Sequence, residues 1–175
     1  MGVWYRGYYA GLSLRKLGFD SPYARYEFMG RRQIKMNSSQ IGNIGEVRVL
    51  SEFIKLGIPC YIPYGDGNVC DLIADFNGKL NKIQIKTCQS LNKSGAMEWK
   101  VTRQEGYHGS RMQYDYNDID YFGLYCIETD EVCLFPYDEN CPKTTISIRL
   151  DNYSGIRTNT MRFASDFRIQ NFINL

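Results

Sequence analysis

Residues 66–88 read DGNVCDLIADFNGKLNKIQIKTC, and the architecture follows from how this stretch pairs with itself. Two runs of alternating apolar and polar residues flank Asn77-Gly78, a dipeptide suited to the positive φ angles of a type I′ turn, so the stretch predicts a β-hairpin. With Asn77 and Gly78 as the loop, Phe76 pairs with Lys79, and counting back along the ladder sets Asp71 opposite Gln84. Directly opposed Cβ atoms lie roughly 4.5–5.5 Å apart. Side chains alternate faces along a strand, so Lys86 shares a face with Gln84 and Asp71 while Leu72, Ala74, Phe76, Ile83 and Ile85 point the other way. Register decides the matter: a three-residue loop would slip the pairing by one and scatter the acid, the amide and the amine.

The polar face also carries Val69 and Ile73, so it is not simply a solvated surface. Asp71, twelve intervening residues and then Gln84-Ile85-Lys86 resembles the bipartite motif of the PD-(D/E)XK nucleases. In that motif an Asp begins one strand of a hairpin and an acid-x-Lys triplet lies on the next. Gln84 stands where most members carry Glu or Asp, which removes a negative charge and keeps an oxygen donor. The combined run IGNIGE (41–46), PYGDGNVCDLIADFNGKL (63–80) and IQIKT (83–87) is similar to the group I intron-encoded homing endonucleases, whose triplet also carries Gln.

Outward from the hairpin, the chain is regular from Ile41. Asn37 or Ser38 can cap a helix, Gly57 can end it and Pro59 prevents its continuation. At helical spacing Val47, Val49, Leu50, Phe53, Ile54 and Leu56 fall on one broad side, opposite Arg48, Ser51, Glu52 and Lys55. Glu46 lies near the middle of the apolar side, where a carboxylate must be neutral, paired or bound to a cation. The alternative places it in the first turn, favoured by the helix dipole and reaching solvent. Gly42 and Gly45 would let a strand or a substrate backbone approach closely.

Cys60–Pro63 reads as a short strand and Tyr64–Asn68 as a turn, with Asp66 a competing acid whose proximity to Gly suits a tight turn. Met97–Arg103 reads as a strand, and Gln104–Asn117 as a polar, aromatic loop containing His108 and Arg111. Ile119–Ile127 and Val132–Phe135 form a second hairpin, Thr144–Leu150 a further strand, and Met161–Phe167 a short helix. That order predicts an α/β (α+β) domain with a mixed central sheet, in agreement with the restriction-endonuclease-like core that the resemblance implies.

At 175 residues, with 43% hydrophobic and 23% charged content, the chain suits one domain with an extension. No apolar run approaches the roughly 20 residues that a bilayer requires. Six cysteines without CxxC spacing and one histidine do not make a zinc site; free thiols and a cytoplasmic, intracellular location are expected. The net charge of +2 is unevenly spread: residues 1–40 hold seven basic residues against two acidic ones. Tyr5, Tyr8, Tyr9, Tyr23 and Tyr26 interleave with those charges. Two readings stay open for this segment, contact with a duplex or tyrosines packed against the main domain. Ser21-Pro22 would start a helix near 22–32. The expected division is a basic, tyrosine-rich extension, 1–40, and a nuclease domain, 41–175. Arg25, Arg31, Arg32 and Lys35, with Arg103 and Arg111, are the candidate DNA contacts.

Phosphodiester hydrolysis requires an activated water and stabilisation of charge building on the phosphoryl and leaving oxygens. A hard divalent cation, Mg²⁺ or Mn²⁺, serves both ends, with Asp71, the Gln84 oxygen, the Ile85 carbonyl and Glu46 as candidate ligands. Lys86 is placed to orient the water and offset developing charge. The catalytic candidates are therefore Glu46, Asp71, Gln84 and Lys86. The resemblance implies a metal-dependent, sequence-specific endonuclease of double-stranded DNA, of intron-homing type. A restriction-type or Holliday junction-resolving nuclease, and a non-catalytic DNA-binding protein on a decayed core, stay open. Cutting both strands calls for a homo-oligomer, a dimer by chain length or a tetramer by resemblance. Its apolar contact candidates are Tyr121, Phe122, Leu124, Tyr125, Val132, Leu134 and Phe135.

Overall fold

The computed structural model describes residues 35–65, 67–104 and 109–173. The chain divides into Met1–Met36 and Asn37–Leu175, and the fold described belongs to the second unit. The helix expected near 22–32, Arg25, Arg31, Arg32, Asp66 and His108 lie outside the described residues.

Helix α1 (Ser38–Lys55) begins with a reciprocal cap, Gln40 N–H donating to Asn37 Oδ1 and Asn37 N–H to Gln40 Oε1, both at 2.9 Å. Its end is set by Gly57 at φ 72°. The buried stripe is narrower than the sequence predicts: Gly45, Val49 and Phe53 are buried, whereas Val47 and Ile54 are 67% and 61% exposed. Arg48 and Glu52, expected on the wet face, are half-buried. Arg48 Nε donates to Asp130 Oδ1 at 2.8 Å and its Nη1 to Glu52 Oε2 at 2.7 Å, so the charges on this flank find partners as they leave water.

Strands β1 (Cys60–Tyr61), β2 (Leu72–Phe76) and β3 (Lys79–Cys88) are followed by β4 (Ala96–Lys100), β5 (Arg103–Gln104) and β6 (Arg111–Met112). Then come β7 (Tyr121–Cys126), β8 (Glu131–Pro136) and β9 (Thr145–Arg149). The β2–β3 hairpin has the predicted register, from Phe76 opposite Lys79 to Leu72 opposite Ile83, and its turn residues Asn77 and Gly78 sit at φ 55° and 89°. The main sheet is ordered β1-β2-β3-β7-β8, with β3 and β7 parallel and the other neighbours antiparallel. It is the mixed sheet expected. The stretch Met97–Arg103 is not one strand: β4 pairs with β9 and β5 with β6, each pair forming a separate ribbon. The helix expected over Met161–Phe167 is a single 3₁₀ turn, Ala164–Phe167, and a further short helix, α2, spans Gln170–Ile173.

Both faces of the sheet are covered. On one, Val49 and Phe53 of α1 pack on Leu72, Ala74, Ile83, Ile85 and Leu134. On the other, Met97, Trp99, Ile146 and Ile148 of the β4–β9 ribbon pack on Phe122, Leu124, Cys126 and Phe135. The Trp99 indole N–H, donating to the Tyr125 carbonyl at 2.8 Å, pins ribbon to sheet. This layering takes up most of the late-strand residues expected at a subunit contact, leaving Tyr121 and Val132 half-buried and β8 at the sheet edge. Phe122, Leu124, Tyr125, Leu134 and Phe135 are at most 6% exposed, because these strands are covered on both faces. All six cysteines are free thiols. No helix among the described residues is long and apolar enough to cross a membrane.

Candidate active site

The site forms where β2 parts from β3. Ladder pairing stops at Leu72 opposite Ile83, and β3 continues to Cys88 with β7 as its remaining neighbour. Asp71 marks the parting: its N–H donates to the Ile83 carbonyl at 2.9 Å, and its Oδ2 accepts from the Ile85 N–H at 2.7 Å. A carboxylate thus replaces a backbone partner. A strand residue's N–H and C=O point to the same edge, so the Ile85 carbonyl faces the same gap. The Gln84 amide nitrogen fills that gap, donating to Asp71 Oδ2 and approaching the Ile85 carbonyl at 3.4 Å. Lys86, two residues on and on the same face, donates from Nζ to the Tyr114 hydroxyl at 2.7 Å.

Burial pushes the Asp71 carboxyl above its ordinary range, against the Ile85 hydrogen bond and the nearby Lys86 charge, which act to lower it. Burial lowers Lys86, opposed by Asp71. Glu46 is displaced upwards, first by partial burial and then by the Asp71 charge, so the two acids sense each other across the parted strands. Glu46 is not buried among apolar residues as its helical position suggests; it is an exposed neighbour of Gly45, on the flank of α1. The structure thus brings together Asp71, Gln84, Ile85 and Lys86, with Glu46 coupled to them through charge.

This donor set fits a hard divalent cation. The Gln84 NH₂ sits where a carboxylate and a carbonyl oxygen converge, the place a positive charge would stabilise, and turning the amide over presents its oxygen to the same point. Among the described residues no three acidic, histidine or cysteine side chains cluster closely enough to hold a metal, and the oxygens gathered here are those of a carboxylate, an amide and a main-chain carbonyl.

The raised Asp71 carboxyl makes stability depend on pH. A carboxyl raised in the folded state makes folding less favourable once ionised; that cost is absent below its unfolded value and complete above its folded one. Without divalent metal, Asp71→Asn should raise the melting temperature at pH 7, and the gain should vanish as pH falls through the ordinary aspartate range. Melting curves of the two proteins in chelator across that range check it; equal curves at pH 7 would contradict it.

Gly45 confirms the expected close approach: a Cβ there would lie 1.8 Å from Thr87 Oγ1 on β3. Gly42 instead faces open space, in a groove running from Ser38 and Ile41 past Gly42 to Lys86, Thr87 and Gln89. Of the candidate DNA contacts, Lys35 is exposed just before α1 and Arg111 is exposed on the β5–β6 ribbon. Arg103, on the same ribbon, is near enough for its charge to act on Tyr114.

Residues 36–170 match the family model described as PD-(D/E)XK endonuclease. The chain belongs to the PD-(D/E)XK endonuclease family. The parted hairpin carries Asp71 and Gln84-Ile85-Lys86, the residues that the sequence sets apart as resembling the family's bipartite motif. Protein 5.3 of Escherichia phage T7 is 28% identical over 107 residues, 61% of this chain and 86% of that protein. A solved bacterial homing endonuclease, I-Ssp6803I, is similar in fold, with a TM-score of 0.60 and 22% identity over 80% of this chain and 94% of that one. Tyr114 was not among the residues singled out from the sequence. It lies in an irregular segment where no periodicity marks a side chain as inward-facing, and only the packing of Phe122 and Tyr137 around it does so.

Proposed function

We propose that this PD-(D/E)XK endonuclease is a Mg²⁺- or Mn²⁺-dependent enzyme that hydrolyses double-stranded DNA at a defined sequence, as an intron-homing enzyme. The observation carrying the reading is the parted hairpin, which gathers Asp71, the Ile85 carbonyl and the Gln84 amide at one point with Lys86 beside them. Asp71, Gln84 and Ile85 would hold the cation, with Glu46 joining directly or through water. When bound, the cation supplies Lewis-acid stabilisation of phosphoryl charge and makes hydroxide accessible near neutral pH. The protein's own part is to position. Asp71 is fixed by the Ile85 N–H, and Lys86 holds an ammonium where it can face an incoming water and the charge developing on the phosphate. The likeness to a homing endonuclease supports the target class.

The test is cleavage of linear duplex carrying the uninterrupted target junction, with Mg²⁺ and with chelator, beside a four-way junction of the same sequence. Duplex cutting that chelator abolishes supports the reading. Preference for the four-way junction would make the chain a resolvase, and tight binding without cutting a DNA-binding protein on a decayed core. We further propose that the active form is a homo-oligomer, since one chain provides one hairpin site and a duplex has two strands. Light scattering of a monomer with and without target duplex, from a preparation that still makes double-strand breaks, would reject this.

Arg25, Arg31, Arg32 and Lys35, with Arg103 and Arg111, are proposed to bind backbone phosphates. Replacing Arg31, Arg32 and Lys35 by serine should weaken binding and flatten the dependence of log K on log salt by roughly 0.9 for each phosphate no longer neutralised. An unchanged slope would show that these charges do not meet the duplex.

A further inference from the structure

We infer that Tyr114 is the positioning residue for Lys86, fixing its ammonium at the cleavage site through the phenol oxygen. The inference rests on the proposed nuclease function for its catalytic consequence and on geometry for everything else. Lys86 is the sole lysine of the triplet and hangs from β3 on a four-carbon stem whose free rotation would spread the charge over several ångströms. Its Nζ donates to Tyr114 Oη at 2.7 Å, and it also lies 5.1 Å from the centre of the same ring. The two distances set the ammonium at the phenol oxygen, beyond the ring edge, so it is the oxygen that confines it.

Tyr114 is in turn held on several sides. The residue is 7% exposed, its ring meets Phe122 edge-on at 5.5 Å and 76° and Tyr137 at 6.4 Å and 84°, and its carbonyl accepts from the Tyr137 hydroxyl at 2.6 Å. Phe122 is fully buried and pairs in register with Gln84 across β3 and β7. The tyrosine therefore stands on the same strand pair that carries the site. No ion pair to Asp71 takes over this task among the described residues, because the Lys86 ammonium is within ion-pair distance of no carboxylate there. The phenol keeps its own proton, since burial and the Asp71 charge push its ionisation up to about 12. It accepts from the ammonium and leaves that charge intact.

Tyr114→Phe isolates the oxygen, because the ring packing against Phe122 and Tyr137 is retained. Two measurements separate a positioning role from a structural one. In protein labelled with ¹⁵N-lysine, the Lys86 ammonium resonance, assigned by its loss in Lys86→Arg, should be observable in the parent and broadened or lost in Tyr114→Phe. In single-turnover cleavage at saturating duplex and metal, the rate constant should fall about 10-fold or more, in line with loss of a hydrogen bond to a charged group. DNA affinity measured with Ca²⁺ should stay within about two-fold, a difference below 0.5 kcal/mol. An unchanged ammonium signal overturns the inference whether or not the protein cuts DNA. Loss of the signal on Tyr114→Phe substitution, in a parent that cuts nothing, would leave the positioning role standing and remove the nuclease reading instead. A matched fall in affinity and rate would assign Tyr114 to the fold or to DNA binding and overturn the inference too.

Discussion

Lys86→Ala should cut single-turnover DNA cleavage by on the order of 10³-fold while leaving duplex affinity within a few-fold, and Asp71→Ala should do at least as much. Both expectations follow from where the two groups sit. Lys86 is a cation drawn out of water, within reach of the Asp71 charge though not paired with it, in a place where the low local dielectric magnifies its effect on developing phosphoryl charge. It lies inside the site rather than on an exposed flank, so little of the phosphate attraction that governs affinity goes with it. Asp71 has two tasks, closing the Ile85 N–H and supplying a charged oxygen to the gap, so its alanine variant also leaves a strand amide unpartnered. Asp71→Asn separates them: it keeps an acceptor for Ile85 and should fold normally, yet should cleave as poorly as the alanine variant. Binding in Ca²⁺ and cleavage in Mg²⁺ give the two readouts, and either variant cutting at near the parent rate would move the catalytic centre elsewhere.

The hairpin that carries these groups was legible because several signals agreed. Asn77-Gly78 demands a two-residue turn, the alternation fixes the faces, and together they place Asp71 against Gln84. What alternation could not show is that the ladder breaks off at Leu72, since a strand and its continuation look alike in sequence. The break is what turns the Asp71 side chain onto the Ile85 amide. For α1 the capping signals were local and sufficient, whereas the half-burial of Arg48 goes with a partner, Asp130, 82 residues away, which no helical wheel includes. The ribbons failed for a related reason. Met97–Arg103 has the composition of one strand, and its division between β9 and β6 as partners is a tertiary choice. The apolar surplus of β7 and β8 pointed to a partner chain because the covering ribbon was not foreseen.

Gly45→Val should unfold more easily than the parent by about 1–3 kcal/mol from overpacking, offset only by the few tenths by which a β-branched residue exceeds glycine in helix propensity. The position tolerates no Cβ as it stands, since one would lie 1.8 Å from Thr87 Oγ1, 3.0 Å from Thr87 Cβ and 3.3 Å from Cγ2. Rotating Thr87 moves its hydroxyl out of the way but leaves its Cβ too close, so the helix itself has to shift. Thr87→Ala alone should cost little, because its hydroxyl is buried without a hydrogen-bond partner. Combined with Gly45→Ala, it should recover part of the stability that Gly45→Ala loses, since the Oγ1 and Cγ2 contacts go while the Cβ contact at 3.0 Å stays, a coupling within the roughly 0.5–3 kcal/mol seen for residues in contact. Function should follow the same displacement. Glu46 is the next residue on α1 and senses Asp71, whereas Thr87 follows Lys86 on β3, so separating helix from strand moves the second acid from the first. Gly45→Val should therefore require more Mg²⁺ for half-maximal cleavage even at temperatures where it is fully folded. Denaturant melts of the parent, the two single variants and the double variant, with Gly45→Val beside them, measure the stability effects, and metal titrations below the lowest melting temperature measure the functional one. A valine variant as stable as the parent would show that α1 and β3 do not approach as closely as the geometry requires.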